Sequence, residues 1–236
     1  MKLNGEKVTK EWLAKRLEHV IWDNDERIIT EEVTKGVEYG FGVIFSPGHH
    51  WHNFVHDLLK GSGVVMSTPI NFKDGLMPAS GAAAQAAEAF KGGCRSIDLY
   101  PDMAAWKMKK WEDMAEYVKT VRESFPEGDI KVLTFCNDTE DDIKYMAEAI
   151  KKGGGTYIKA YDYNKQGAPM HRIKMVRALA DEYGLGLKAS GNGKYWTTAI
   201  LMGAYAAGAD CVSASNTFEI VDNLPIFEEL YSKYEF

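Results

Sequence analysis

Gly155-Thr156-Tyr157-Ile158-Lys159-Ala160-Tyr161 reads as a short strand carrying a lysine where a buried strand would hold Val or Ile. Alternation puts Tyr157, Lys159 and Tyr161 on one face and Ile158 and Ala160 on the other. A second strand of the same kind follows, Leu185-Gly186-Leu187-Lys188-Ala189-Ser190, with Gly186, Lys188 and Ser190 on one face. Between them, Pro169 to Tyr183 has helical period, so the two strands are expected as parallel neighbours. Neighbouring strands lie about 4.8 Å apart, so lysines at matching heights would face the same space. Two ammonium groups there repel, and loss of one proton relieves the repulsion. A neutral amine in a pocket attacks carbonyls to give Schiff bases. The plain alternative is two strand ends whose ammonium groups reach water.

The same unit repeats outward from this pair. Thr9 to Glu18 has the spacing of an amphipathic helix (Trp12, Leu13, Leu17) and leads into His19-Val20-Ile21-Trp22. Thr30-Glu31-Glu32-Val33 carries a capping pattern, and Gly40 to Ser46 is a strand stopped by Pro47. His52 to Lys60 is helical and Gly63 to Thr68 is a strand. Ala79 to Lys91 is helical before the strand Arg95-Ser96-Ile97-Asp98-Leu99-Tyr100. A long helix, Trp106 to Phe125, precedes the strand Ile130 to Phe135, and Asp138 to Lys152 is helical again. After the two lysine strands come a helix from Thr197 to Ala207, the strand Cys211 to Ala214 and a last helix from Glu219 to Tyr234. Eight strands alternating with eight helices predict a single (β/α)8 barrel over 1–236, with a short N-terminal helix at 9–18 and the barrel at about 19–234. An open doubly wound sheet is the competing arrangement. Active sites of such barrels sit at the C-terminal strand ends, where Lys159, Lys188 and Asp98 fall.

Composition narrows the function classes. A net charge of −6 with no stripe of Lys or Arg argues against a nucleic-acid binder. No apolar run approaches the ~18 residues of a membrane span, and Met1-Lys2-Leu3-Asn4-Gly5 does not read as a signal peptide. Cys94, Cys136 and Cys211 are far apart and odd in number, as expected of reduced thiols in a cytoplasmic protein. Asp98 lies between Ile97 and Leu99, so its carboxylate should point inward, paired with a lysine and able to relay a proton. A purely structural ion pair with Lys188 is the alternative.

Set side by side, these motifs resemble the deoxyribose-phosphate aldolase family from about Leu13 to Val221. The family's Ile-Asp-His-Thr is similar to Leu17-Glu18-His19-Val20, its Leu-x-Gly-Ser to Leu59-Lys60-Gly61-Ser62, and its Glu-Ile-Asp to Ser96-Ile97-Asp98. Its Lys-Val-Ile resembles Lys131-Val132-Leu133. Its Val-Lys-Thr-Ser-Thr-Gly resembles Ile158-Lys159-Ala160-Tyr161, and its Val-Lys-Ala-Ser-Gly-Gly resembles Leu187-Lys188-Ala189-Ser190-Gly191-Asn192. The resemblance implies a class I aldolase without a cofactor, acting in deoxyribonucleotide catabolism. Lys159 would form the imine, Lys188 would lower its pKa, and Asp98 would move protons with Lys188. The implied reaction cleaves 2-deoxyribose 5-phosphate to acetaldehyde and glyceraldehyde 3-phosphate. Glu18, Tyr161, Ser190, Gly191, Gly193, Lys194, Ser215 and Asn216 are then expected to bind substrate. The expected partners are a small carbonyl compound or sugar phosphate, with a homodimer compatible and no nucleic acid or membrane.

The departures cluster around the substrate's far end. The family's Thr-Ser-Thr-Gly after the nucleophile becomes Ala160-Tyr161-Asp162-Tyr163, its threonine in the first motif becomes Val20, and its Glu-x-Lys-x-x-Glu becomes Ser80-Gly81-Ala82-Ala83-Ala84-Gln85. The phosphate grip Gly-Thr-Ser-Ser-Gly becomes Ser213-Ala214-Ser215-Asn216-Thr217, and an arginine becomes Lys194. Asn216-Thr217-Phe218-Glu219 reads as a capping box that would occupy a helix N-terminus. A related aldolase for an unphosphorylated pair is therefore a second reading. A barrel that binds a sugar without turnover is a third. His49, His50, His52 and His56 suggest a fourth, since His52 and His56 at i, i+4 could share a metal. No Asp, Glu or Cys is set beside them by spacing, so loop packing is the favoured account and no metal ligand is assigned.

Overall fold

The alternating segments close on themselves. The computed structural model describes residues 1–135, 138–161, 167–191 and 195–233. A hairpin of β1 (Lys2–Leu3) and β2 (Glu6–Lys7) leads through α1 (Lys10–Ala14) to β3 (Leu17–Val20), α2 (Glu26–Tyr39) and β4 (Val43–Phe45). Next come α3 (His52–Leu59), β5 (Val65–Ile70), α4 (Ala79–Lys91), β6 (Ser96–Leu99), α5 (Met103–Lys107) and α6 (Trp111–Ser124). Then follow β7 (Asp129–Phe135), α7 (Glu140–Lys152), β8 (Tyr157–Tyr161), α8 (Met170–Tyr183) and β9 (Gly186–Ser190). The chain ends in α9 (Thr198–Ala206), β10 (Cys211–Ala214), α10 (Thr217–Asp222) and α11 (Leu224–Lys233). Strands β3 to β10 pair in parallel, each with the next, and β10 returns to β3 to complete an eight-stranded barrel.

Burial follows the pleat. Residues pointing outward from the strands, such as Ile97, Leu99, Ile130, Val132, Ile158 and Leu187, are fully buried against the helices. Their inward neighbours Glu18, Ser67, Ser96, Asp98, Lys131, Lys159 and Lys188 are also buried, yet polar or charged. The main apolar layer thus lies between strands and helices, and the barrel's lumen mixes polar and charged groups with a few apolar ones such as Leu133 and Phe45. Gly186 belongs to that lumen: a Cβ there would lie 2.2 Å from the Tyr157 ring.

Several boundaries differ from the sequence expectation. Helix α2 starts at Glu26 with Asp25 as its cap, and Thr30, expected as a cap, lies inside it with its hydroxyl donating to the Glu26 carbonyl. The first helix stops at Ala14, and Leu17 and Glu18 belong to β3, where Glu18 pairs with Val43 and Ser213 across the two seams. Leu17 fitted a helical stripe, but its burial comes from the outward face of a strand. The expected helix from Trp106 to Phe125 starts earlier and breaks at Met108-Lys109-Lys110. Lys109 takes φ +55°, and the N–H of Lys110 donates to the Ala105 carbonyl at 2.9 Å, a Schellman-type end with lysine where glycine is usual. The last helix divides at Asn223, with Pro225 in the first turn of α11, where a missing N–H costs nothing.

Candidate active site

Five charged side chains run as a row through the lumen. Lys159 on β8 and Lys188 on β9 are register partners, so both amines enter the lumen at one height. Asp98 on β6 accepts from Lys159 Nζ at 2.5 Å and from Lys188 Nζ at 2.8 Å. Lys188 also donates to Glu18 Oε2, and Glu18 Oε1 accepts from Lys131 on β7. The row reads Lys131, Glu18, Lys188, Asp98, Lys159, with cation and anion alternating. Relative exposure is 0% at Lys188 and Glu18, 1% at Asp98, 2% at Lys131 and 7% at Lys159, so the row opens to solvent at its Lys159 end.

Three ammonium groups and two carboxylates leave one positive charge in excess among the described residues of the row. Burial disfavours every charge here, and the pairings decide which survive. Burial alone would raise Glu18, but Lys131 and Lys188 hold it below the usual carboxylate range. Asp98 behaves the same way: burial pushes it up, and Lys159 and Lys188 pull it far lower. Lys131 goes the other way from its burial, because the Glu18 carboxylate raises it above an ordinary lysine. Lys159 is lowered, by burial first and by the charge of Lys188, with Asp98 opposing. The excess proton is therefore most easily lost from Lys159, at the open end. At the closed end, Cys211 Sγ lies 3.8 Å from Glu18 Oε1, and burial followed by the Glu18 charge pushes this thiol up to about 12.

Lys159 and Asp98 form the floor of a cavity at the C-terminal strand ends. One side is apolar: Val20, Trp22, Phe45, Pro69, Phe72 and Tyr100. The opposite side carries Ser190, Gly191, Ser213, Ala214 and Ser215. Ser190 Oγ is buried without a hydrogen-bond partner among the described residues. Gly191 admits the chain here because a Cβ would stand 2.6 Å from Gly167 Cα.

Of the residues singled out in the sequence, Lys159, Asp98, Ser190, Gly191 and Ser215 line this cavity, and Lys188 lies beneath it. Glu18 does not line it; the carboxylate is wholly buried between Lys188 and Lys131. Asn216 is also turned away. It caps nothing with its side chain and donates Nδ2 to the Trp196 carbonyl at 2.9 Å. Asn216 does sit at the N-cap position, with α10 starting at Thr217 as expected, but the capping box is not formed because its side chain bonds to Trp196 instead; the Thr217 hydroxyl is 2.7 Å from His19 Nδ1. Tyr161 closes β8 opposite Phe135, while Gly193 and Lys194 lie outside the described residues, as do Asp162, Tyr163 and Cys136. In the sequence, Lys131 figures only as part of a motif with no role given, although it too is a lysine inside a buried apolar strand. The aromatic side of the cavity was missed, because its members come from four different strands and loops.

The histidines stand apart from the cavity. His52 is buried with Nε2 3.0 Å from Thr68 Oγ1, and burial, then the neighbouring His49 and His50, lowers it to about 4. His56 packs on Gly93, where a Cβ would stand 2.4 Å from its Nδ1. Among the described residues, no three His, Cys, Asp or Glu side chains are grouped to hold a metal ion. No helix among them is long and apolar enough to cross a membrane.

No protein-family model matches the chain. It is 26% identical over 217 residues to the deoxyribose-phosphate aldolase of Dictyoglomus turgidum, covering 90% of this chain and 97% of that one. It is 24% identical over 213 residues to deoxyribose-phosphate aldolase 1 of Mesoplasma florum, covering 89% and 95%. Among solved structures, the tetrameric deoxyribose phosphate aldolase of Aeropyrum pernix superposes with a TM-score of 0.79 at 18% identity, over 94% of this chain and 93% of that one. The barrel is the same, and the side chains have diverged.

Proposed function

We propose that this chain, a divergent relative of the deoxyribose-phosphate aldolases, is a class I aldolase whose imine forms on Lys159. The observation that carries the reading is the charge row. It places a lysine of lowered pKa at the floor of a cavity, in contact with a carboxylate that also touches a second lysine. A sugar-binding barrel would have no use for that arrangement.

The chemistry follows from the geometry. Neutral Lys159 Nζ attacks the carbonyl carbon, and the carbonyl oxygen takes up protons and leaves as water, giving an iminium ion. In the cleavage direction a base removes the proton from the hydroxyl two carbons away from the iminium carbon. The bond between the hydroxyl-bearing carbon and its neighbour breaks, with its electron pair passing into an enamine. The freed aldehyde departs, the enamine carbon is protonated, and water releases the donor aldehyde and Lys159. Asp98, in reach of both amines, passes protons between Lys159 and Lys188. Ser190, a cavity-lining residue whose hydroxyl has no other partner among the described residues, serves in this reading as the hydrogen-bond partner of the substrate hydroxyl. Such chemistry uses no cofactor, and free Cys94 and Cys211 suit a reducing cytoplasm.

The relatives make 2-deoxyribose 5-phosphate, cleaved to acetaldehyde and glyceraldehyde 3-phosphate, the first substrate to test. One observation favours an unphosphorylated pair instead. The helix that follows β10 has only six residues, its first hydroxyl is taken by His19, and Lys159 is the one cation among the described cavity-lining residues. The deciding experiment is borohydride trapping with a panel of aldehydes and ketones, with mass spectrometry of the Lys159 peptide. It is followed by kcat/KM for 2-deoxyribose 5-phosphate against 2-deoxyribose. No adduct on Lys159 with any carbonyl would defeat the aldolase reading. A phosphate preference above ~1000-fold, about 4 kcal/mol of transition-state binding, would defeat the second.

A further inference from the structure

The cavity wall opposite the serines is built of aromatic rings. Trp22 and Phe72 stand with centroids 6.0 Å apart, Phe72 meets Tyr100 edge-on at 5.4 Å, and Trp22 meets Phe45 at 6.4 Å. Trp22 is 57% and Phe72 45% exposed, so the wall holds large apolar area against solvent at the mouth of a cavity. Exposed aromatic area of this kind is costly unless a ligand covers it. The wall is also fixed in advance. Asn71, next to Phe72, receives Met77 N on Oδ1 at 3.0 Å and donates Nδ2 to Tyr117 Oη at 2.9 Å. Tyr117 Oη in turn donates to the Tyr100 carbonyl at 2.9 Å. Gln85 Oε1 accepts from Asn71 N at 2.8 Å. The loop carrying Phe72 is thereby tied to the strand end carrying Tyr100.

Resting on the aldolase reading above, we infer that the cavity takes a carbonyl substrate bearing, beyond its imine carbon, an aromatic or comparably flat apolar group that packs against Trp22 and Phe72. A substrate held as an imine is open-chain, so it has no sugar ring face to lay on these side chains. A phosphorylated three-carbon aldehyde has no flat apolar group with which to cover the rings. An aryl group carried on a short chain beyond the imine carbon would cover them and gain offset or edge contacts.

The test uses the full chain and cyanoborohydride trapping, read as the aldehyde concentration that half-saturates the adduct on the Lys159 peptide. The probes are 3-phenylpropanal, propanal as a control for chain length, and glyceraldehyde 3-phosphate. We expect 3-phenylpropanal to half-saturate at a concentration about tenfold or more below both others, the scale of one buried aromatic contact set. Trp22→Ala with Phe72→Ala should bring the three within about threefold, and Phe72→Tyr should keep the preference. Both positions are exposed, so melting curves of the variants should match the parent. Glyceraldehyde 3-phosphate or propanal saturating at equal or lower concentration would overturn the inference while leaving the aldolase reading intact. A preference that survives the double variant would overturn it too. No Lys159 adduct with any probe would overturn both.

Discussion

Lys131 and Lys159 sit at the two ends of one row, each against a carboxylate, each almost wholly buried, and they titrate in opposite directions. Burial opposes the charge on both. At Lys131 the Glu18 carboxylate wins, and the amine is locked as a cation beside the Tyr157 ring, 5.7 Å from its centroid. At Lys159 burial is joined by the repulsion of the Lys188 ammonium, and together they outweigh the attraction of Asp98. One barrel thus holds a lysine kept charged and a lysine eased toward its neutral form. The difference lies in the like charge of Lys188, which weighs on Lys159, whereas at Lys131 Asp98 adds to Glu18 in raising the amine.

The largest effect that could break this contrast is at Lys159. Lys159→Met should abolish the borohydride adduct on that peptide and lower turnover by at least ~1000-fold, while the melting temperature stays level or rises. The variant leaves two cations with two anions, which relieves the charge excess. Mass spectrometry of the trapped protein and a thermal melt check both halves, and an adduct moving to Lys188 would reverse the assignment.

Next in size is Glu18→Gln, which leaves Lys131 buried without its carboxylate. A broken buried pair costs about 3–5 kcal/mol, read by urea denaturation. Adding Lys131→Met should recover most of that loss, and no recovery would mean that the two ends are not independent.

Smaller is the effect of Lys188→Met on the pH profile. Lys159 must be neutral to attack, and its lowered pKa puts the rising limb of kcat/KM below the ordinary lysine range. Removing Lys188 deletes a like charge and returns all of Asp98 to Lys159, so the limb should move upward by about one pH unit, or 1.4 kcal/mol. An unmoved limb would show that Lys188 does not tune Lys159. The smallest effect expected is at Cys211. Its thiol, pushed to about 12, should stay unlabelled by iodoacetamide near neutral pH in the folded protein, as peptide mapping would read. Rapid labelling there would mean that the closed end is open.

Much of this was legible beforehand because period-2 alternation is a local property. It placed Lys159, Lys188 and Asp98 in the lumen, and the parallel βαβ unit put the two lysines side by side. The repeat count gave the closed barrel. What escaped was local chemistry without its usual residue, or contact between distant segments. Lys109 ends α5 where glycine would have signalled the stop. Asn4-Gly5 does carry a hairpin signal, with φ of 48° and 86°, yet flanking strands of two residues show no periodicity. Glu18 looked like the end of a helix because Leu17 fitted a helical stripe, and like a substrate contact because of the motif it shares with the aldolases. Its true partners, Lys131 and Lys188, lie 113 and 170 residues away.

The seam between β10 and β3 makes the barrel a ring, and a ring constrains offsets that an open sheet leaves free. Around a closed barrel the strand staggers must add to one fixed total, so slippage at one seam has to be undone at another. Asp98 and Lys159 are separated by two such seams, β6 to β7 and β7 to β8. Their 2.5 Å contact is therefore set by topology as well as by local packing. Insertions, deletions and exchanges in the loops above can reshape what enters the cavity without moving the amine relative to its carboxylate. A chain of this build can drift far in sequence while its strands stay in register, as a TM-score of 0.79 at 18% identity illustrates.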